Sequence, residues 1–464
     1  MGGDRRDLLA YPKVYAFLIS RWPLWILQAP LAVVFAYLLW SGPPKVQDYP
    51  QNPATILIWV IWWPLLLLSA LVLGRVWCGF LCPLGGAVDI LNRRFSAHRV
   101  PQGLRSPWLL VGSFLMTVYL IGALDLPHRV PSWTSYFFLG IVAIAIAMAL
   151  FYRGRAWCRY ACPIGAVLGL FSKFSVLELR TEQAICKSCQ CRRCEKYEKH
   201  RIGCPVYLKP YRLEGNSDCI LCMECAKVCP NDAVKWQVRP FGTEVSGSLG
   251  LQESFVGIAL LGITFLQVSS MYPTFKALKG SFQWDGELGF YAVLFAAAIS
   301  LSFMLTMGLA GYARFLGGDW RDRLGKVGPF LLPFSALAFL LLNLIHLQTE
   351  GGSILKMLVG SGGTTVAATG HVHIPPSNWM VLLSFGLVLL GFLWGVQILA
   401  AHVRGPRSLI AAIPLLLSLG LVASLYLGLV TSMPQSNPLL EVRGSGEIIK
   451  DTIGDMISPT EIRG

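Results

Sequence analysis

Charge is scarce in this chain. Only 14% of its 464 residues are Asp, Glu, Lys or Arg, against about 25% in soluble domains. So few polar groups cannot cover a water-facing surface. A large soluble enzyme is excluded by what stands in their place: apolar runs of roughly 20 residues, enough to cross about 30 Å of hydrocarbon. Cysteine is absent before Cys78 and after Cys229. Mid-span histidine pairs that would suit a bis-His haem are missing. So is any nucleic-acid-binding signature, and no nucleic acid partner is expected. The first apolar run starts late, is long, and has no small-residue cleavage site, so it is expected to stay as a span rather than leave as a signal peptide.

What is present is hydrophobic: 54% of residues. Nine apolar runs cover about 22–41, 54–74, 107–126, 133–152, 254–272, 288–311, 328–347, 379–401 and 408–430. In lipid each must close its own backbone hydrogen bonds, which predicts helices. With the N-terminus inside, the inner segments carry 31 of the 39 lysines and arginines. That asymmetry predicts a multi-pass protein of a prokaryotic inner membrane, with its N-terminus cytoplasmic and its C-terminus outside. The net charge of +14 reflects this bias, and the inner basic residues can also hold anionic lipid head groups.

All 13 cysteines then lie at the cytoplasmic face. A reducing compartment disfavours structural disulfides, and clustered cysteines there point to metal or redox chemistry. Cys219-x2-Cys222-x2-Cys225-x3-Cys229-Pro230 has the spacing of a bacterial ferredoxin half-site. Zinc sites pair two C-x2-C knuckles instead. An irregular half-site precedes it: Cys186, Cys189, Cys191 and Cys194, then Cys204-Pro205. Two registers fit, through Cys191 or through Cys194. Cys194 is favoured, because Cys191 stands one residue from Cys189 and should point elsewhere on an extended chain. In the crossed pattern, cluster one takes Cys186, Cys189, Cys194 and Cys229. Cluster two takes Cys219, Cys222, Cys225 and Cys204. Cys191 is then a spare thiol or an alternate ligand.

The chain also repeats itself at an offset of 80. Gly74-Arg75-Val76-Trp77-Cys78-x3-Cys82-Pro83-Leu84-Gly85 returns as Gly154-Arg155-Ala156-Trp157-Cys158-x3-Cys162-Pro163-Ile164-Gly165. Each copy follows a hydrophobic pair. Arg and Trp belong at a membrane interface, and cysteines four apart share a helix face. Two copies could gather Cys78, Cys82, Cys158 and Cys162 into a third redox centre, whether an Fe–S cluster, copper or a dithiol couple.

The two C-x3-C-P pairs after helical hairpins, followed by a double ferredoxin motif, resemble the membrane polyferredoxins. That group includes the quinol-oxidising membrane subunit of periplasmic nitrate reductase systems and the nitrous-oxide reductase maturation protein. The resemblance covers about residues 54–236. It implies two [4Fe–4S] clusters on the cysteines named above, an inner-membrane location, and electron exchange with the quinone pool. It says little about residues 250–464. The outer flavin-binding domain of the nitrous-oxide type has no counterpart before residue 22, so that function is not expected to carry over whole.

The expected fold is a polytopic α-helical membrane protein of about nine spans, with an inserted small α+β ferredoxin-like module. Its parts are a cytoplasmic N-terminus (1–21), a four-helix domain of two repeats (22–165), the ferredoxin-like domain (166–248), a five-helix domain (249–430) and an outer tail (431–464). Outside, His346, His371 and His373 could converge on copper, zinc, a haem edge or a quinol, although a bare His-x-His is a weak motif. Ser361-Gly362-Gly363-Thr364-Thr365 only faintly suggests a flavin attachment site. The chain has no catalytic residue of its own. Its expected work is electron transfer between cytoplasmic clusters and quinol or a partner redox subunit of an oxidoreductase complex, with an acidic donor docking on the basic module. A copper-reducing assembly factor and a redox-sensing regulator are the competing functions.

Overall fold

A computed structural model describes residues 6–20, 22–41, 52–95, 98–126, 132–196, 203–247, 249–270, 272–281, 284–312, 318–349 and 378–402, and parts of 413–428. Seven helices are long and apolar enough to cross a membrane: Pro53–Leu73, Pro107–Leu124, Ser132–Phe151, Leu251–Ser270, Glu287–Tyr312, Trp320–Gln348 and Leu382–Ala401. They match seven of the nine expected runs. The first run differs. It enters through a π-helical turn, Leu24–Gln28, and the apolar helix that follows, Ile26–Ser41, is shorter than a span. The ninth run lies mostly outside the described residues. Its described part includes Tyr426, whose hydroxyl donates to the Ala338 carbonyl at 2.8 Å.

Helix starts follow the sequence. Pro53, Pro83, Pro107 and Pro163 each open a helix, where the fixed φ is pre-set and the missing N–H costs nothing. The Asn52 side chain accepts from the Thr55 amide at 3.1 Å, and Ser106 accepts from Trp108 at 3.3 Å. The helix at Trp320–Thr349 holds Pro329 and Pro333 in its interior and forms the middle of the bundle. Its residues Leu332–Leu340 pack against Val256–Ile263 of the Leu251–Ser270 helix, against Leu66–Leu71, and against Val167–Phe171.

Between the fourth and fifth expected runs the chain leaves the bundle. Strands β1 (Leu177–Thr181) and β2 (Val234–Val238) pair antiparallel, Leu179 opposite Trp236. They bracket the cysteine-rich segment. Near the N-terminus Asp7 bridges Gln237, and the Val238 amide donates to the Arg6 carbonyl at 3.0 Å. The base of this module is a buried charge network. Arg239 pairs with Glu178 at 3.3 Å and with Glu244, which also pairs with Arg180. Arg239 further donates to the carbonyls of Ser175 at 2.8 Å and Ser172 at 3.2 Å. A buried ion pair is tolerated when its remaining donors are satisfied, and here they tie the module to the end of the Pro163–Phe171 helix.

Among the described residues, three of the segments expected on the inner side, 1–21, 75–106 and 312–327, each touch residues 153–250. Asp7 meets β2. Gly79 lies against Cys222, and Gly154 against Pro205. The Leu249 amide donates to the Gly325 carbonyl at 3.0 Å. Gly242 and Phe241 pack on Trp394. The helices therefore enter and leave so that one end of the bundle carries the module.

Candidate iron–sulfur centres

The loop Cys219–Cys225 is shaped by two non-glycine residues in the left-handed region, Leu221 (φ 54°) and Met223 (φ 60°). Side chains rarely accept this conformation. Alternation of this kind turns successive backbone N–H groups inward, making an anion-binding concavity of the sort that holds Fe–S sites. The amides of Leu221 and Glu224 lie beside the sulfurs of Cys219 and Cys222. Past Cys204-Pro205 the chain turns again at Tyr207 (φ 60°), and the amides of Leu208 and Val206 lie beside the Cys204 sulfur.

These two segments face each other across a cavity with about 330 Å³ of atom-free space, partly open to solvent. Cys204, Cys219, Cys222 and Cys225 line it together with apolar side chains such as Leu179, Val206 and Met223. The cavity brings together the four residues expected for cluster two. Burial pushes the thiols of Cys204, Cys219 and Cys222 up to about 12 and Cys225 well above its ordinary value. A bare thiolate is too costly there. Four thiols ringed by backbone donors in an apolar pocket suit an anionic cubane, whose irons take the place of the protons and whose charge the amides balance.

The irregular half-site is more open. Cys186, Cys194 and Cys229 lie near enough for their charges to interact. Burial, then Cys229, raises Cys194 to about 11. Arg192 takes a left-handed turn (φ 41°) between Cys191 and Cys194. Cys191 does not point elsewhere. Its sulfur stands 3.3 Å from that of Cys189: the backbone at Cys189 is extended, and residues two apart on an extended chain share a face. The Arg193 amide, then the Cys189 thiol, lowers the Cys191 pKa. The Cys204 amide donates to the Cys194 carbonyl at 2.7 Å, so the two ligand sets share backbone.

The repeat builds a third group of thiols. Ionising Cys158 is opposed by Cys162, Cys82 and Cys78, and Cys162 is opposed by Cys78 and Cys82, so the four gather. Their local geometry differs from the expected shared helix face. Cys78 sits in a π-helical turn, Trp77–Leu81, and Cys158 in a short helix, Ala156–Tyr160. Cys82 and Cys162 are both extended residues (ψ 112°) that precede the helices opened by Pro83 and Pro163. The residue before proline avoids the α region, which is why neither pair lies on one continuous helix. The result is useful chemically. Two helix N-termini now point at thiols, with the amides of Leu84 and Gly85 at Cys82 and of Gly165 at Cys162, where the helix dipole favours negative charge.

Two buried arginines complete this shell, Arg75 at 5% and Arg155 at 3% exposure. Arg155 donates to the Cys78 carbonyl at 2.8 Å and pairs with Asp89 through two bonds of 3.0 and 2.6 Å. Arg75 lies beside the Cys78 thiol and donates to the Ser217 carbonyl at 2.9 Å. Its Nε has no hydrogen-bond partner among the described residues. An orphaned cationic donor next to four thiols fits an anionic occupant. Among the described residues no three His, Cys, Asp or Glu side chains close on one ion-sized point; a cubane is gripped at its corners and needs no such convergence.

Beyond the repeated Gly-Arg-x-Trp-Cys, nothing in the sequence marked this arginine shell. Nor did it mark Gly79 as the point where the module rests. Of the three outer histidines, His346 alone lies among the described residues. The Nδ1 of His346 lies 3.0 Å from the Leu342 carbonyl of its own helix, while His371, His373 and the 361–365 segment lie outside the described residues.

A family described as a 4Fe–4S binding domain matches residues 55–101 and 134–181, the two repeats. A second family with that description matches residues 216–235. Among curated relatives, the ferredoxin-type protein NapH of Escherichia coli is 30% identical over 36% of this chain and 62% of its own length. The regulatory protein NosR of Pseudomonas aeruginosa is 28% identical over 48% of this chain and 32% of its own length. An uncharacterised protein of Methanocaldococcus jannaschii is 25% identical over 36% of this chain and 66% of its own length. The chain thus spans less than two thirds of each of these three. No solved structure matches. The matched segments hold Cys78, Cys82, Cys158, Cys162, Cys219, Cys222, Cys225 and Cys229, while Cys186, Cys189, Cys191, Cys194 and Cys204 lie between them.

Proposed function

We propose that this chain, a membrane 4Fe–4S electron-transfer protein of the polyferredoxin type, connects a soluble donor or partner subunit on one side of a prokaryotic inner membrane with a quinone in the bilayer. The observation that carries the proposal is contact. Gly79, between Cys78 and Cys82, lies directly against the backbone of Cys222, so the thiols of the repeats and of the module share a wall.

Cys186, Cys189, Cys194 and Cys229 would hold one cubane, Cys204, Cys219, Cys222 and Cys225 a second, and Cys78, Cys82, Cys158 and Cys162 a third. When bound, these groups supply one-electron redox chemistry. The protein supplies placement and charge. The first set is the most exposed, among Lys187, Arg192 and Arg193 with Glu182 and Glu195 also near; an acidic partner would find complementary charge on the three basic side chains. The third set lies at the membrane edge. There Trp77 packs on Trp62 at 5.6 Å, and the buried Gln28 amide donates to the Gly79 carbonyl at 3.4 Å. Three π-helical segments, Leu24–Gln28, Ile56–Trp62 and Trp77–Leu81, occur in this neighbourhood, and such segments are frequent at functional sites.

The inner-side placement of the module, residues 166–248, rests on the basic bias and on the shared face described above. Stopped-flow mixing of the reduced protein with a short-chain quinone tests the function. Cluster absorbance should recover within seconds. Recovery no faster than in quinone-free buffer would argue against it.

A further inference from the structure

The two repeats exchange their arginines. Arg155, from the second copy, reaches the Cys78 carbonyl of the first, and a Cβ on Gly85 would stand 3.0 Å from its guanidinium. Arg75, from the first copy, reaches the second in the same way: a Cβ on Gly165 would stand 3.1 Å from its guanidinium. Each cation therefore crosses the pseudo-symmetry axis and lies over the glycine that follows the other copy's Cys-Pro pair.

The exchange is unequal. Asp89 neutralises Arg155. Eighty residues on, the position of Asp89 is Gly169, and a Cβ there would stand 2.9 Å from the Ser217 carbonyl. That carbonyl is the group Arg75 binds. In the second copy the backbone of the module has taken the place of the carboxylate. Arg75 thus has no carboxylate bonded to it among the described residues, its Nε unpartnered, beside the Cys78 sulfur; Asp218, the carboxylate whose charge reaches it, is paired with Arg159 instead.

We propose that Arg75 is a positioning residue that raises the reduction potential of the centre held by Cys78, Cys82, Cys158 and Cys162, with Arg155 the weaker, neutralised counterpart. This rests on the reading that those four cysteines hold a cluster. A positive charge in a low-dielectric site favours the state carrying the extra electron. The same side chain grips Ser217, two residues before Cys219, so it also fixes the module against the centre whose charge it sets.

The test uses the full chain, purified anaerobically, with iron counts and EPR-monitored redox titration. Arg75→Gln should keep the iron and lower the midpoint of one cluster, making its reduction at least tenfold less favourable, which is about 59 mV for one electron. Arg75→Lys should restore most of it, and Arg155→Gln should move that midpoint less. Gly165→Ala keeps both arginines and displaces the Arg75 guanidinium slightly; it should lower the same midpoint by a smaller amount. Unmoved midpoints in Arg75→Gln, or in Gly165→Ala where Arg75→Gln loses iron, overturn the inference alone. About eight irons in the unaltered chain would instead overturn the third centre, and this inference with it.

Discussion

Gly79 lies against Cys222. A Cβ added to Gly79 would come within 3.0 Å of the Cys222 amide nitrogen and even closer to the Ile220 carbonyl. In the other repeat the matching residue is Arg159, which instead pairs with Asp218. At this matched position the first repeat meets the module backbone to backbone, and the second meets it by a charge; elsewhere the second repeat also touches module backbone, the Arg155 amide donating to the Pro205 carbonyl at 2.8 Å.

This contact makes Gly79 intolerant of any side chain. Gly79→Val should destabilise the protein by about 2 kcal/mol, as overpacking against backbone does. It should also slow electron exchange between the module and the repeats. Melting in detergent and freeze-quench EPR check both effects. A variant with unchanged melting and unchanged kinetics would show that the module does not rest there.

Cys204 and Cys191 make a paired test of ligation. Cys204 lines the cavity with Cys219, Cys222 and Cys225, while Cys191 abuts Cys189. Cys204→Ala should lose about four irons, one cubane. Cys191→Ala should keep the full count. Iron and sulfide assays decide; the reverse result would move the ligand register to Cys191.

The iron-free protein should be alkali-sensitive. Burial holds the thiols of Cys204, Cys219 and Cys222 up to about 12, above an ordinary value of 9.0. Below about 9 both folded and unfolded thiols are protonated, and stability is unaffected by them. Between 9 and 12 the unfolded chain loses protons that the folded chain keeps, so stability falls as pH rises. Metal-loaded protein has already released those protons. Melting temperature followed from pH 7 to 11 should drop for the stripped form and stay level for the loaded one.

Much of this architecture is legible in the sequence because membrane and cluster chemistry both impose strict spacing. Seven of the nine runs return as helices long and apolar enough to cross a membrane. The crossed pattern put Cys204 with Cys219, Cys222 and Cys225, and these four line one cavity; that they ligate one cubane is the proposal. Legibility ends where geometry depends on neighbours. The shared helix face expected for Cys78 and Cys82 fails because Pro83 forces Cys82 to be extended. The expected divergence of Cys191 fails because residues two apart on an extended chain share a face, and Cys189 is extended. The exchange of Arg75 and Arg155 is a tertiary fact. Its trace in the sequence is the mismatch between Asp89 and Gly169, visible once the repeats are aligned.

The most direct measurement is the iron and acid-labile sulfide content of the full chain isolated without oxygen. Twelve cysteines in the three proposed groups of four predict about twelve irons and about twelve sulfides per chain, with zinc and copper well below one. A protein that binds neither iron nor sulfide under those conditions would contradict the account at its root.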